Sequence, residues 1–359
     1  MKNPKKILII IQRSNGDVFL SLSLIKWIND SFKSSKIDLL VNDDTAAVAK
    51  LLPFINKIHI FSYDEKKKNR FNQEKNLFNS LFRKYDLSIN LTASDRSVIY
   101  ALLASKNSIS AVETDYKKSW WKKKLLTHYY SFDSSKHVLK NNLKSLKILN
   151  IQHDSIQQTI DFSEDDILAV KDKLDAYGVN RFIIFHPSAQ YEYKVYPKNL
   201  RDKLLTLLNT LGIPIIITGG NNKIDQVIKK EVLPLTNVFN LIGKTSLKEY
   251  FIISKLSIGY IGMDTLNMHI AASQNKRIFA IFGPTNLSMW SPWSNDLETA
   301  TSINQPVQTY GSNTLFQGSL PCVACGKAGC DDNHGKSECL NIIDPQAIFE
   351  HVSSWYNNV

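Results

Sequence analysis

Asp264 and His269 stand five residues apart in a polar-to-apolar stretch flanked by two apolar runs, Phe251–Ile258 and Ile278–Phe282. A carboxylate and an imidazole where a buried strand gives way to a helix can close the helix end, polarise a bound group or line a ligand. Asp264 or Thr265 can cap that helix, and Thr265, Leu266 and Asn267 can offer backbone amides to an anion. Two more loops fall at the ends of expected strands: His186–Lys194 after a strand at 182–185, and Thr218–Asn222, with the pair Gly219-Gly220, after a strand at 214–218. Lys194 supplies a point charge suited to phosphate oxygens. A cap explains Asp264 alone and core packing explains His269 alone. The convergence of a glycine pair, a loop lysine and a polar helix start at consecutive strand ends points instead to a site for a diphosphate.

The loop Gln12–Asp17 follows the first apolar run, Ile7–Ile11. It lacks G-x-G-x-x-G and so makes a poor dinucleotide loop. Asp17 is either the cap of a helix starting at Val18 or a general base, with burial raising its pKa and the helix terminus lowering it. Four cysteines, Cys322, Cys325, Cys330 and Cys339, form C-x2-C-x4-C-x8-C. That spacing is compatible with structural zinc, with His334 as a substitute ligand.

Positioning such groups requires strands alternating with helices. The first half reads as strands Ile7–Ile11, Ile37–Val41, Ile58–Phe61 and Leu87–Leu91, separated by helical stretches that include Val18–Phe32 and Val98–Ala104. A second alternation runs from a helix at Ser163–Tyr177 through strands at 182–185, 214–218, 238–240, 256–260 and 278–282. Such order implies parallel sheets covered on both faces. The expectation is an α/β protein with two Rossmann-like doubly wound domains. Their bounds are 1–155, 156–343 and a closing helix at 344–359 that returns towards the first domain. A length of 359 residues suits two cores.

With 43% hydrophobic and 21% charged residues the composition is globular, and no apolar run approaches the roughly 20 residues that cross a bilayer. The opening run is too short for a signal peptide, so a cytoplasmic location is expected. Residues 1–150 hold 27 Lys and Arg against 13 Asp and Glu, whereas 151–359 hold 17 against 20. The basic half is expected to meet something anionic. Trp120-Trp121 among Lys117, Lys118 and Lys122–Lys124 is a composition favoured at a membrane–water interface, although a helix packing its tryptophans inward has the same sequence. A nucleic-acid-binding protein would also be basic and aromatic, but it leaves the loops of the acidic half unexplained.

Several stretches in order resemble the heptosyltransferase family of glycosyltransferases over nearly the whole chain. They are Ile7–Ile11 with Gly16-Asp17-Val18, Tyr85–Leu91 with Arg96-Ser97, His137–Lys140, His186-Pro187-Ser188-Ala189 with Lys194 and Pro197, Thr218-Gly219-Gly220, Leu241–Leu247, Asp264–His269 and Phe282–Thr285. The resemblance implies a glycosyltransferase B-type fold whose C-terminal domain holds a nucleotide-sugar and whose N-terminal domain holds the acceptor. It implies Asp17 as catalytic base and Lys194 on the donor phosphates, with Asp264, Thr265, Leu266 and His269 lining the donor pocket and Ser188, Gly219, Gly220 and Thr245 bordering diphosphate, ribose or base. The implied reaction is an inverting, metal-independent transfer of heptose from ADP-heptose to a phosphorylated lipid-linked inner-core acceptor of lipopolysaccharide, at the inner face of the cytoplasmic membrane. No cofactor, no bound zinc and no nucleic acid are then expected, and the oligomeric state stays open. Leu266 departs from the glycine that many relatives carry and Val195 from a basic residue, so another hexosyl- or N-acetylhexosaminyltransferase is the alternative enzyme. A catalytically silent binding protein is the alternative of another class.

Overall fold

The computed structural model describes residues 3–156 and 158–358. The chain divides into two compact units, Met1–Ile160 and Asp161–Val359.

The first unit is built on β1 (Lys6–Ile11), β2 (Lys36–Asn42), β3 (Ile55–Phe61), β4 (Leu87–Asn90), β5 (Ser108–Val112) and β6 (His128–Ser131), in the order β3-β2-β1-β4-β5-β6. All its pairings are parallel. Residues Ile7–Ile11 are buried without alternation, as a strand covered on both faces requires. The chain leaves β1 for β2 and β3 and then returns to the other side of β1 with β4. The direction therefore reverses between β1 and β4, which is where an open α/β sheet leaves a crevice beyond its carboxyl ends.

The expected helix at Val18–Phe32 is two helices, α1 (Asn15–Phe19) and α2 (Leu22–Ser31). At the break the Ser21 hydroxyl donates to Val18 O at 2.7 Å, a local side-chain bond that competes with the helical ladder. The longer helices that follow in this unit are α3 (Arg70–Leu81), α4 (Asp95–Ala104) and α5 (Tyr116–Leu125).

The second unit opens with α6 (Glu164–Asp175), β7 (Ile183–His186), α7 (Lys198–Asn209), β8 (Ile215–Ile217), α8 (Lys223–Glu231) and β9 (Val238–Asn240). It continues with α9 (Leu247–Leu256), β10 (Gly259–Met263), α10 (Leu266–Ser273), β11 (Arg277–Phe282), β12 (Val307–Tyr310), β13 (Asn313–Gln317) and α11 (Pro345–Tyr356). Strand order is β12-β13-β11-β10-β7-β8-β9, with only β12 antiparallel to its neighbour. Here the reversal falls between β7 and β10.

The strand expected at 256–260 lies at Gly259–Met263. Ser246 caps α9 and takes Glu249 into a capping box, and the helix then runs apolar as far as Leu256. A continuous apolar run hides that boundary, because helix and strand are both buried there. The closing helix, expected to return to the first domain, places Ile348 and Val352 in the core of the second unit, where it packs on α7. Trp355 lies 5.6 Å from the Phe279 ring. The fully buried Tyr196 ties this segment down by donating its hydroxyl to Ile343 O at 2.5 Å.

Candidate active site

At the reversal point of the first sheet, Gln12 N donates to Thr92 Oγ1 at 3.0 Å, joining the loops that follow β1 and β4. Asp17 sits in this corner, 4% exposed. It is the third residue of α1 and completes a capping box with Ser14. Its Oδ2 accepts from Ser14 Oγ at 2.7 Å and from Ser14 N at 3.2 Å, and its Oδ1 is 2.9 Å from Arg13 Nε. The Arg13 guanidinium in turn lies 5.0 Å from the Phe132 ring. One side chain thus completes the helix start and sets a carboxylate beside a guanidinium at this edge. Arg96 adds a second cation at this edge. Its Nε donates to Gln12 Oε1 at 3.3 Å and its Nη2 to Tyr63 Oη at 3.0 Å, with the guanidinium 3.8 Å from the Phe61 ring.

In the second sheet the adjacent strands β7 and β10 deliver Lys194 and Asp264 to the same point. Lys194 Nζ lies 2.9 Å from Asp264 Oδ2, with the carboxylate buried and the ammonium about a quarter exposed. Burial opposes the lysine's charge, but Asp264, with Tyr193 and Tyr191 nearby, outweighs it and holds the ammonium pKa above its ordinary value. Thr265 is the N-cap of α10. The amides of Leu266 and Asn267 open that helix and have no partner within it. Among the described residues, the buried Thr285 hydroxyl after β11 and His269 Nδ1 also take no hydrogen-bond partner. This edge therefore has donors and acceptors left for a ligand.

Ser188, Gly219 and Gly220 meet around a residue outside the expected set. The Ser188 hydroxyl donates to Asp225 Oδ1 at 2.5 Å, and Asn222 N donates to Asp225 Oδ2 at 3.0 Å. A Cβ at Gly219 or Gly220 would stand 3.0 Å from the Asp225 carboxylate, so a side chain at either would require the carboxylate to give way slightly. Thr245 follows β9, farther along the sheet. Its loop is held to the glycine pair by Gly243 N donating to Gly219 O at 3.0 Å. Gly243 turns with φ +70, and a Cβ there would sit 2.3 Å from Asn221 Oδ1. The Cys-rich segment reaches the Lys194 loop through His334, whose ring centroid is 5.4 Å from Tyr191 and 5.9 Å from Tyr193. Cys339 is buried and the other three cysteines are exposed. Among the described residues no group of three or more His, Cys, Asp or Glu is arranged to hold a metal ion.

Two histidines lie inside this unit uncharged. His186 Nδ1 lies 3.0 Å from Thr218 Oγ1 and 3.1 Å from Asn267 Nδ2. Burial pushes His186 and His269 down to about 4. Unfolded, both titrate near 6.5 and take up protons that the native rings refuse. Their contribution is thus complete above pH 6.5 and is lost as pH falls towards 4, by about 1.4 kcal/mol per pH unit for each ring. The thermal midpoint is expected to drop between pH 7 and pH 5, and His269→Leu to flatten that slope. An unchanged slope in the variant would remove His269 from the account.

Comparison with known proteins fits this geometry. The model of glycosyltransferase family 9 (heptosyltransferase) matches residues 75–318. Lipopolysaccharide heptosyltransferase 3 of Escherichia coli strain K12 is 27% identical over 299 residues, covering 79% of this chain and 84% of that protein. Lipooligosaccharide heptosyltransferase 2 of Campylobacter jejuni is 24% identical over 361 residues, covering 98% of this chain and 99% of that one. Among solved structures, a family 9 glycosyl transferase from Veillonella parvula superposes with TM-score 0.74 at 15% identity, over 99% of this chain and 98% of that chain. E. coli heptosyltransferase WaaC, solved with ADP, gives TM-score 0.71 at 15% identity over 97% and 99%. The two doubly wound units are of the glycosyltransferase B type, and with more than half its length matched the chain belongs to glycosyltransferase family 9, the heptosyltransferase family.

Proposed function

We propose that the chain transfers a heptose from ADP-heptose to a phosphorylated, lipid-linked inner-core acceptor of lipopolysaccharide at the inner face of the cytoplasmic membrane, with inversion at the anomeric carbon. Asp17 takes the proton from an acceptor hydroxyl. The freed oxygen forms the new bond to the anomeric carbon as the bond to the diphosphate breaks, and ADP leaves. Lys194 and the first amides of α10 meet the charge that develops on the leaving diphosphate. Ser188, Gly219, Gly220 and Thr245, with Asp264, Thr265, Leu266 and His269, border the donor. Arg13 and Arg96 suit a phosphorylated acceptor.

The observation that carries this reading is the Lys194 ammonium held at the opening of α10, at the reversal point of the second sheet. A charge and a helix start together make an anion site on the half of the chain that is otherwise acidic. Leu266 favours a second reading, because its side chain stands at the first position of α10, where a smaller residue would let a donor approach more closely. That reading keeps the mechanism and changes the sugar.

Thermal denaturation separates the two. ADP at about a hundred times its Kd is expected to stabilise the protein by about 2.7 kcal/mol, while UDP leaves the midpoint unchanged. Turnover of a nucleotide-sugar panel with a truncated lipopolysaccharide acceptor should select ADP-heptose and survive EDTA. Protection by UDP, with turnover of a UDP-hexose, would transfer the assignment to the alternative.

A further inference from the structure

From the geometry of the first unit we infer that the outer surface of α3, α4 and α5 is a docking face for an anionic lipid bilayer. The steps β3 to β4, β4 to β5 and β5 to β6 all run in the same direction across the sheet. Right-handed crossovers therefore put the three helices side by side on one face, opposite the helices of the β1–β2 step. This layer exposes side chains that a solvent-facing layer normally hides: Phe71, Phe78, Phe82, Ile99, Trp120 and Leu125 are each between 42% and 79% exposed. Among the described residues, none of the exposed large apolar side chains lies on α1 or α2.

The pattern is built rather than scattered. Phe71 and Phe78 are seven residues apart and so fall on one side of α3, and Phe82, just past the helix end, stacks on Phe78 at 4.7 Å. Ile99 presents the neighbouring ridge on α4. On α5, Trp120 projects between Lys117 and Lys124, all three exposed. The outward direction of Trp120 is set by Lys122 on the opposite side of the helix. That lysine is fully buried, 2.7 Å from both Asp95 Oδ1 and Glu113 Oε1, and donates to Ala93 O at 2.6 Å. Lys75, between the phenylalanines, and Lys118 on α5 add charge to the layer, and both are exposed.

Aromatic rings with interleaved ammonium groups fit a bilayer surface, where rings sit at headgroup depth and lysines meet lipid phosphate. No helix among the described residues is long and apolar enough to cross a membrane, so this face would lie on the surface. The inference deepens the proposed function, since it rests on an acceptor held in a bilayer, and it is tested separately from it.

The test is cosedimentation with vesicles of phosphatidylglycerol and phosphatidylethanolamine, against vesicles of phosphatidylcholine. The wild type is expected to pellet with the anionic vesicles, less at 0.5 M salt. Phe71→Ser/Phe78→Ser/Trp120→Ser, all at exposed positions, is expected to bind at least tenfold more weakly. Binding by this variant equal to wild type, or no binding by wild type, would overturn the docking face. So would loss in the variant of a lipid-free dimer or of oligonucleotide binding, which would assign the surface to a second copy or to nucleic acid. On a deacylated, water-soluble acceptor the variant is expected to match wild-type turnover within twofold. Failure of the wild type on that acceptor would overturn the proposed function and leave the docking face to stand on the vesicle result.

Discussion

Asp17→Asn is expected to lower kcat for sugar transfer by about a thousandfold, within the range supplied by general-base catalysis, while ADP affinity stays within about twofold of wild type. Asparagine has the shape of aspartate and is an equally good group at a helix start, so the capping role at Ser14 survives the change. What is lost is the negative charge that can accept a proton and that pairs with Arg13 at 2.9 Å. The ion pair is partly exposed on the arginine side, so its removal costs about 1 kcal/mol or less, too little to unfold the unit. Ser14 holds Oδ2, while Oδ1 lies 2.9 Å from Arg13 Nε but accepts no hydrogen bond among the described residues. An acceptor hydroxyl is therefore expected to approach Oδ1, beside the Arg13 guanidinium. Measuring kcat, KM and ADP binding on the same preparation decides the matter. Transfer within fivefold of wild type would reduce Asp17 to a helix cap.

Much of this arrangement was legible in residue types. Runs such as Ile7–Ile11 and Ile278–Phe282 announce strands covered on both faces, and the polar residues just after them mark the carboxyl edge where ligands bind. Asp17, Lys194 and Asp264 were visible for that reason. The bond between Lys194 and Asp264 was not, since it joins residues 70 apart and depends on β10 lying beside β7, a neighbour relation that sequence order conceals. Asp225 is hidden in the same way: it looks like the third residue of an ordinary capping box at Asn222, and only the structure brings the Ser188 hydroxyl and the Gly219-Gly220 backbone against its carboxylate. The strands β5 and β6 are not announced by their sequences, because Ser-Ile-Ser-Ala-Val and His-Tyr-Tyr-Ser are short and half polar and their place is fixed by pairing with β4 and with each other.

Lys194→Met is expected to cut kcat/KM by about a hundredfold or more, the effect of removing one group aimed at charge that develops in the transition state. It should weaken ADP binding at least tenfold as well. The same change leaves the Asp264 carboxylate buried without its counter-ion, which costs up to about 3 kcal/mol of stability, and this loss could be mistaken for the cause. Adding Asp264→Asn separates the two effects, because it removes the unpaired charge and should restore the thermal midpoint without restoring transfer. Asp264→Asn alone carries the argument further. In the unliganded chain Asp264 holds the ammonium 2.9 Å from its Oδ2, so a diphosphate has to compete with a carboxylate of its own sign for that lysine. Neutralising Asp264 therefore should leave ADP affinity equal or raise it, even as the protein becomes less stable. A structural ion pair with no part in binding predicts the opposite pattern, in which the double variant recovers transfer to within a few-fold of wild type and ADP affinity does not respond to any of the three changes.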